Sequence, residues 1–295
     1  MSPAAVDRSN VQGEKPLTPY EFVSNLAREL SAGRVELPGF PDVAARLQHA
    51  LADADITTER IGRVVGSDAG LTGRVLALAN SAMLRRGGNP ITDLKFAVTR
   101  IGQENIRAAA LAYAQQQLRR AVELAPVRGE LEKCWMEGVR VAALAQAIAR
   151  ESRRLRTDEA MLAGLMHNIG KIYIVARSVR LPELFGPPEQ RDTTLREWHP
   201  AIGQALTENW KLPAEISSAV GGQLDVERDH LGPPDLHDLL IVAVRLEENM
   251  AAGHGDDATL VSLPAANRLA LNEAALVRIV LESQTDIETL QAALG

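Results

Sequence analysis

The 295-residue sequence predicts an all-α protein, a multi-helix bundle. Apolar residues recur three or four positions apart through most of the chain, which is the spacing of one face of a helix. No stretch of alternating apolar and polar residues is long enough to predict a sheet. Aromatic residues make up only 3% of the chain, so alanine and leucine on helices must supply most of the core. A hydrophobic fraction of 46% excludes a disordered chain.

The N-terminal half begins with a polar stretch without periodicity, which predicts a flexible tail over residues 1–16. A capping-box pattern at residues 18–21 then predicts a helix over residues 17–33. Further helix starts are indicated by residues that favour a cap or a first helical turn: Pro41, Thr57 or Thr58, Asp68, and Thr92 with Asp93. Gly102 is expected to end the last of these helices, and a longer helix follows over about residues 104–122.

Pro126 indicates a boundary between two halves of the chain. One long helix is predicted over residues 127–150, with a buried face formed by Val141, Leu144, Ala145 and Ile148. His199 and Pro200 are expected to begin another helix, because proline suits a first helical turn. The remaining helices are predicted at residues 213–222, 235–250, 263–270 and 273–293.

The charge of the chain argues against nucleic acid as a partner. The net charge is −6, and residues 181–295 hold 7 Lys and Arg against 19 Asp and Glu. Nucleic-acid affinity depends largely on basic residues that neutralise phosphates. We therefore expect no nucleic-acid binding.

Features of the sequence also predict a soluble, cytoplasmic protein. The longest obvious apolar run, residues 239–244, is far shorter than the about 20 residues that a membrane span requires. The N-terminal residues are polar and lack the apolar region of a signal peptide. Cys134 is the single cysteine, so the chain can form no internal disulfide and no cysteine-based zinc site.

Residues 161–173 are the stretch from which we infer function. Four apolar residues are spaced as one face of a single helix: Leu162, Leu165, Met166 and Ile169. His167 and Lys171 lie four positions apart and would share another edge of that helix. Gly164 and Gly170 weaken a helix by about 1 kcal/mol each, which indicates close packing or a helix break at these positions.

This stretch resembles the His-Asp-x-Gly-Lys motif of HD-type metal phosphohydrolases, with Asn168 in place of the aspartate. Other stretches, in their order and spacing, resemble the HDOD domain, the HD-related output domain of bacterial signalling proteins. These are residues 37–41, 65–82, 91–102 and 210–213, together with Trp135. The resemblance implies an N-terminal helical half packed on an HD-like helical half. The implied units are the HDOD domain at 34–232, divided into 34–125 and 126–232, and C-terminal helices at 233–295 that complete the HD-like half.

The resemblance also implies which residues would hold a metal in an active relative. The first ligand is a histidine just after a tryptophan like Trp135, and here only Glu137 in that place could bind a hard cation. The second ligand, His167, is present. The third position is Asn168, a neutral amide and a weak ligand.

The later ligand positions are also changed. Glycines at 221 and 222 stand where many HD proteins carry a histidine pair, and Val244 and Arg245 stand where the last aspartate is expected. His237 and Asp238 lie almost two turns earlier on the same helix, too far to be simple substitutes. We therefore interpret His167 as a hydrogen-bonded structural histidine.

The sequence predicts a non-catalytic bacterial signalling protein that acts through contacts with a protein partner, with no catalytic residue, metal or cofactor. Its vestigial pocket would contain Glu137, His167, Asn168 and Lys171. Two alternatives remain open at this point. One is a metal-dependent phosphohydrolase with an altered ligand set of Glu137, His167 and Asn168. The other is a module that binds a nucleotide or cyclic dinucleotide without turnover, through His167, Lys171 and nearby arginines.

Overall fold

The structure, a computed structural model, describes residues 24, 26, 28, 29, 41–84, 89–179, 188–253 and 257–295. Every regular element among these residues is helical, which confirms the all-α prediction. None of the helices in this part of the chain is long and apolar enough to cross a membrane. The predicted tail at 1–16 and residues 37–40 lie outside the described residues. So does most of the predicted helix at 17–33, whose four described residues are helical.

The N-terminal half contains helices α1 (Asp42–Leu51), α2 (Thr58–Gly66), α3 (Ala69–Ala79), α4 (Leu94–Ile101) and α5 (Gln103–Arg120). Three of them begin at predicted caps. The side chains of Thr57, Asp68 and Asp93 accept hydrogen bonds of 3.3, 2.9 and 2.7 Å from the backbone N–H groups three residues later. Each bond satisfies a donor that the first turn leaves free, and is worth about 1 kcal/mol. Gly102, with a φ of 80°, separates α4 from α5 as predicted.

A 3₁₀ helix (Val122–Val127) that contains Pro126 leads into the second half. The following helices are α6 (Arg128–Ser152), α7 (Thr157–Met166), α8 (Ile169–Ser178), α9 (Pro188–Asn209), α10 (Ala214–Gly222) and α11 (Leu236–Ala252). The prediction that a helix begins at His199 is wrong, because α9 continues through Pro200. The proline removes one backbone hydrogen bond, and the packing of α9 on α8 and α10 outweighs that loss.

The chain ends with helices α12 (Asp257–Val261), α13 (Pro264–Arg268) and α14 (Glu273–Leu294). The short α12 has no counterpart in the sequence prediction. Helix α14 lies along α6 and also contacts α3 and α5, so it touches helices that precede and follow Pro126. Its buried side is formed by Ala275, Leu276, Ile279, Ser283, Leu290, Ala293 and Leu294.

Helix α6 is the centre of the core and packs most extensively on α7. The four residues predicted for its buried face are fully buried. Gly164 of α7 faces Ala142 of α6, and a Cβ atom at Gly164 would lie 2.6 Å from the Cα atom of Ala142. The two backbones therefore touch, which only a residue without a side chain permits at this position.

The prediction of one helix over residues 161–173 is wrong, because α7 ends at Met166 and α8 begins at Ile169. His167 and Asn168 form the junction. The side-chain amide of Gln223, at the end of α10, donates a hydrogen bond of 2.6 Å to the carbonyl oxygen of His167. This donor comes from a distant part of the chain and satisfies an oxygen that the interrupted helix leaves free.

Close packing accompanies this break, as the glycines indicated. A Cβ atom at Gly170 would lie 2.0 Å from the carbonyl oxygen of His199, so α8 and α9 touch backbone to backbone. His167 and Lys171 therefore lie on different sides of a helix junction and share no helix edge.

Candidate functional site

The structure brings the four predicted site residues together at the junction of α7 and α8, facing α6. We call this site the Glu137 pocket and define it by Glu137, His167, Asn168, Lys171 and His199. Glu137 comes from α6, Lys171 from the first turn of α8 and His199 from α9. The close approach of α8 to α9 at Gly170 places the last of these residues beside the others.

Glu137 is the residue on which the others converge. The ammonium group of Lys171 donates a hydrogen bond of 2.7 Å to Oε1 of Glu137. Nε2 of His167 lies 3.4 Å from the same oxygen, and the amide nitrogen of Asn168 lies 3.4 Å from Oε2. Both carboxylate oxygens of Glu137 therefore already face donors supplied by the chain.

These donors keep Glu137 ionised. Burial alone would raise the pKa of its carboxyl group. The hydrogen bonds and positive charges of His167 and Lys171 outweigh burial and hold that pKa well below its usual range. Cys134, one turn earlier on α6, shows the opposite result, because burial raises the pKa of its thiol to about 12. The thiol is therefore protonated near pH 7, and a protonated, buried thiol is a poor nucleophile.

His167 is fully engaged by the protein. Its Nδ1 atom lies 2.7 Å from the carbonyl oxygen of Gly164. A carbonyl oxygen only accepts, so Nδ1 carries a proton. Its Nε2 atom faces Oε1 of Glu137, so both ring nitrogens contact groups of the protein. The ring is buried, with 1% of its surface exposed.

Asn168 serves a structural purpose that an aspartate could not. Its side-chain nitrogen donates a hydrogen bond of 2.7 Å to the carbonyl oxygen of Cys134. An ionised aspartate at this position would direct an oxygen at that carbonyl and would stand beside the carboxylate of Glu137. The asparagine thus suits the local arrangement of acceptors. Its own side-chain oxygen is buried without a hydrogen-bond partner in the described part of the structure.

His199 was not among the predicted site residues. It is buried, and burial together with the charges of Lys171 and His167 lowers its pKa to about 3, so the ring is neutral near pH 7. Its Nδ1 atom is buried and has no partner among the described residues. The one sequence signal for this contact was Gly170, which indicated close packing, and its missing side chain leaves room for the backbone of His199.

Side chains from neighbouring helices occupy the space beside the two glycines at positions 221 and 222. A Cβ atom at Gly221 would lie 2.0 Å from Oε1 of Gln204, and one at Gly222 would lie 1.9 Å from Nε2 of His237. The place where many HD proteins carry a histidine pair is therefore occupied partly by the ring of His237, which comes from α11. This packing of Gln204 and His237 requires residues without a Cβ atom at both positions.

Comparisons with known proteins agree with this architecture. The sequence profile of the HDOD domain matches residues 37–225, which is more than half of the chain. This chain belongs to the HDOD family. No curated protein is a significant match to the sequence.

Several solved structures resemble the HDOD protein over most of its length. One, from Shewanella amazonensis SB2B, is described as a "Putative metal-dependent phosphohydrolase". It is 24% identical, has a TM-score of 0.66, and the match covers 92% of this chain and 98% of that one. An HDOD domain protein with unknown function from Geobacter sulfurreducens is 21% identical, with a TM-score of 0.62 and coverage of 94% and 99%.

A third structure, from Marinobacter aquaeolei VT8, is described as a "Putative signal transduction protein". It is 18% identical with a TM-score of 0.58, and the match covers 93% of this chain and 65% of that one. At these identities, the three structures show a shared fold.

The donor set of the Glu137 pocket does not fit an HD-type metal. The carboxylate of Glu137 and the imidazole of His167 already contact groups of the protein, and no ring nitrogen of His199 lies within 4.8 Å of both. Asn168 presents its nitrogen, a donor, towards the carboxylate. Among the described residues, no third His, Cys, Asp or Glu lies close enough to share an ion with Glu137 and His167. A metal that activates water requires several negative or neutral donors free of protons.

The group of three such donors that does lie close enough is elsewhere, at the start of α11. His230, Asp235 and Asp238 have ligand atoms within 4.8 Å of one another. Asp238 is fully buried and accepts hydrogen bonds from Arg228 at 2.9 Å and from Arg268 at 2.7 Å. We call these five residues the Asp238 network.

The Asp238 network is structural in its contacts. His230 lies 3.0 Å from Asp238, and Asp235 caps α11 through a capping box with the same residue. Burial would raise the pKa of Asp238, but the hydrogen bonds from Arg268 and His230 outweigh it and hold the pKa below its usual value. Two guanidinium groups thus already supply the positive charge that a cation would bring.

Proposed function

We propose that this HDOD protein is a non-catalytic regulatory protein of bacterial signalling that acts through contacts with other proteins. In this proposal the Glu137 pocket is the remnant of an HD metal site. Membership of the HDOD family supports a signalling role, and so does the fold shared with the Marinobacter aquaeolei protein. The contacts within the pocket support the absence of catalysis.

The observation that carries the proposal is the ion pair between Lys171 and Glu137. The ammonium nitrogen of Lys171 lies 2.7 Å from Oε1 of Glu137, and Nε2 of His167 lies 3.4 Å from the same oxygen. A metal bound to Glu137 would have to displace these contacts and would stand close to a fixed positive charge. The gain from one carboxylate and one imidazole is too small to offset that repulsion, because tight sites need three or more such ligands.

The experiment is to measure metal content and phosphoesterase activity together. The purified full chain is analysed for Mn, Fe and Mg, and it is assayed with a chromogenic phosphodiester and a phosphomonoester. We expect far less than one metal per chain and no turnover. His167→Ala should leave both measurements unchanged. His49→Ala, which alters an exposed histidine, is the matched control. One metal per chain that His167→Ala removes, together with activity, would overturn the proposal.

The protein-contact part of the proposal has its own test. Chemical crosslinking in the native host, followed by affinity capture and mass spectrometry, should recover the same partner with the wild-type chain and with His167→Ala. Recovery that depends on His167 would indicate that the pocket participates in binding. If neither the wild type nor His167→Ala recovers a reproducible partner, the proposed action through protein contacts would be contradicted.

A second candidate function is a pocket that binds a small ligand without turnover. It is favoured by one observation: Oδ1 of Asn168 and Nδ1 of His199 are both buried in the pocket and have no partner among the described residues. These are atoms that a ligand could satisfy. Thermal-shift measurements with mononucleotides and cyclic dinucleotides test this function. A stabilisation that Asn168→Ala removes would support it, and unchanged melting with every compound would exclude it for those ligands.

A further inference from the structure

A cleft of about 370 Å³ lies where the end of α5, the start of α6 and the end of α14 meet. We call it the Arg119 cleft. Its walls are formed by Gln116, Arg119, Arg120, Arg128, Glu132 and Gly295. It shares no residue with the Glu137 pocket, and none of its residues belongs to the stretches that carried the HD resemblance.

Arg119 is the buried centre of this cleft. Only 8% of its surface is exposed, and its guanidinium group lies over the ring of Trp135 at 4.4 Å. Its Nε atom donates to a carboxylate oxygen of Glu132 at 3.0 Å. Its Nη1 atom is buried and has no hydrogen-bond partner in the described part of the chain. A buried charged donor without an acceptor is costly, and a bound acceptor would remove that cost.

Three further arginines surround Arg119. Arg120 and Arg128 are exposed, and neither forms an ion pair with any described residue. Arg128 uses only its Nε atom, which donates to the carbonyl oxygen of Arg119 at 3.1 Å. Arg74 lies beside them and donates to the backbone oxygens of Leu294 and Gly295. The terminal nitrogens of Arg120 and Arg128 therefore remain available to a ligand.

The cleft holds more positive charge than the protein neutralises. Three guanidinium groups line the cleft and that of Arg74 lies at its edge, whereas Glu132 is the one acidic side chain that lines it. Counted together with a carboxylate at Gly295, these groups still leave a surplus of two positive charges. Burial lowers the pKa of Arg119 to about 10, while the neighbouring carboxylate of Glu132 raises it and the charges of Arg74 and Arg120 lower it. Arg119 stays protonated near pH 7. The neighbouring guanidinium groups repel it, and a bound anion would reduce that repulsion.

We propose that the Arg119 cleft binds a phosphate-bearing small molecule through Arg119, Arg120 and Arg128. A phosphoryl group presents several oxygens to the planar forks of arginine, and its double negative charge matches the surplus. The volume lies within the range of about 300–1,000 Å³ that is typical of small-molecule sites. The face of Trp135 is buried beneath Arg119, so no aromatic surface is available for a base to stack on. The recognised group is therefore the phosphate itself.

The experiment is calorimetric titration of the full chain with inorganic phosphate, pyrophosphate and a mononucleotide at constant ionic strength. We expect pyrophosphate or the mononucleotide to bind, with sodium chloride as the reference that reveals mere screening. The double variant Arg120→Gln/Arg128→Gln should weaken binding by about tenfold or more, because it removes the charge surplus. Both positions are exposed, so this variant is expected to fold.

A control variant locates the effect. Arg154→Gln removes an exposed arginine beyond the far end of α6, about 30 Å from the cleft along that helix, and should bind as the wild type does. The cleft shares no residue with the Glu137 pocket, so the test is independent of the proposed function. Equal binding by the wild type and the Arg120→Gln/Arg128→Gln variant would overturn the proposal. So would an absence of heat with all three compounds.

Discussion

The Glu137 pocket and the Asp238 network are two answers to the same physical problem, an acidic side chain removed from water. The Glu137 side chain is 21% exposed and pairs with one ammonium group and one imidazole. The Asp238 side chain is 0% exposed and pairs with two guanidinium groups and one imidazole. The more deeply buried carboxylate has the larger set of positive partners. This agrees with the rule that a buried charge is tolerated only when it is paired and hydrogen-bonded.

The two clusters differ in how they relate to sequence motifs. The Glu137 pocket lies at the stretch that resembles an HD motif, yet its ligand atoms do not form a group of three close enough to share an ion. The Asp238 network lies outside any motif and has three donors within 4.8 Å, yet arginines fill the places a cation would take. The presence of typical ligand residues is thus a poor guide to metal binding. Whether a cation can bind depends on the charges that already surround those residues.

The largest effect is expected from Asp238→Asn. This change leaves Arg228 and Arg268 without their buried anion, and loss of one partner from a buried ion pair costs about 3–5 kcal/mol. Urea denaturation monitored by circular dichroism measures the loss. Asp229→Asn, which alters an exposed partner of Arg268, is the matched control and should cost less than about 1 kcal/mol. Similar small losses in both variants would show that the network contributes little.

Gly170→Ala is expected to cost about 3 kcal/mol, since overpacking of a tight core typically costs 1–3 kcal/mol and here the clash is with backbone. The new Cβ atom would lie 2.0 Å from the carbonyl oxygen of His199, so α8 and α9 must move apart. Gly62→Ala is the matched control, because a Cβ atom there meets nothing within 4 Å. That change should stabilise the protein by about 0.5–1 kcal/mol, because alanine is a better helix former. Equal stability of the two variants in urea would contradict the packing described at His199.

The buried His199 should make stability depend on pH. Its pKa is lowered from about 6.5 to about 3, so the unfolded chain binds more protons than the folded one between these values. The contribution of neutral His199 to the free energy of unfolding is therefore fully present above pH 6.5. It falls by about 1.4 kcal/mol for each pH unit below that value, a loss of about 2 kcal/mol at pH 5. His199→Gln should remove this slope, whereas His49→Gln should retain it. A wild-type protein equally stable at pH 7.5 and pH 5 would show that His199 is accessible to protons.

The smallest effect is expected from the ion pair of Glu137 with Lys171. A double-mutant cycle with Glu137→Gln and Lys171→Met should give a coupling of about 1–2 kcal/mol, because both side chains are only partly exposed. The lowered pKa of Glu137 makes this contribution present above the ordinary glutamate pKa and lost as the pH falls below it. It should thus be unchanged between pH 7.5 and pH 5, the range over which His199 lowers the stability. A coupling near zero would mean that Lys171 does not hold Glu137 in solution.

Local signals predicted most of the fold. The caps at Thr57, Asp68 and Asp93 and the end of α4 at Gly102 depend on residues within three or four positions, which the sequence displays directly. The buried face of α6 followed from helical spacing in the same way. The HD-type motif likewise identified the residues that meet around Glu137.

Features that depend on distant partners could not be predicted. The break between α7 and α8 is stabilised by Gln223, which lies 56 positions from His167 in the sequence. The position of His199 in the pocket depends on contact between α8 and α9, and its protonation depends on burial. The Arg119 cleft combines α5, α6 and α14, and no spacing within one helix reveals that combination.

The most direct test of the central claim is calorimetric titration of Mn²⁺ into the chelator-stripped full chain at pH 7.5. The account predicts no stoichiometric binding, and identical traces for the wild type and His167→Ala, because Lys171 and His167 already satisfy Glu137. A one-to-one complex that forms with the wild type and is lost in His167→Ala would contradict it, and would identify the Glu137 pocket as a working metal site.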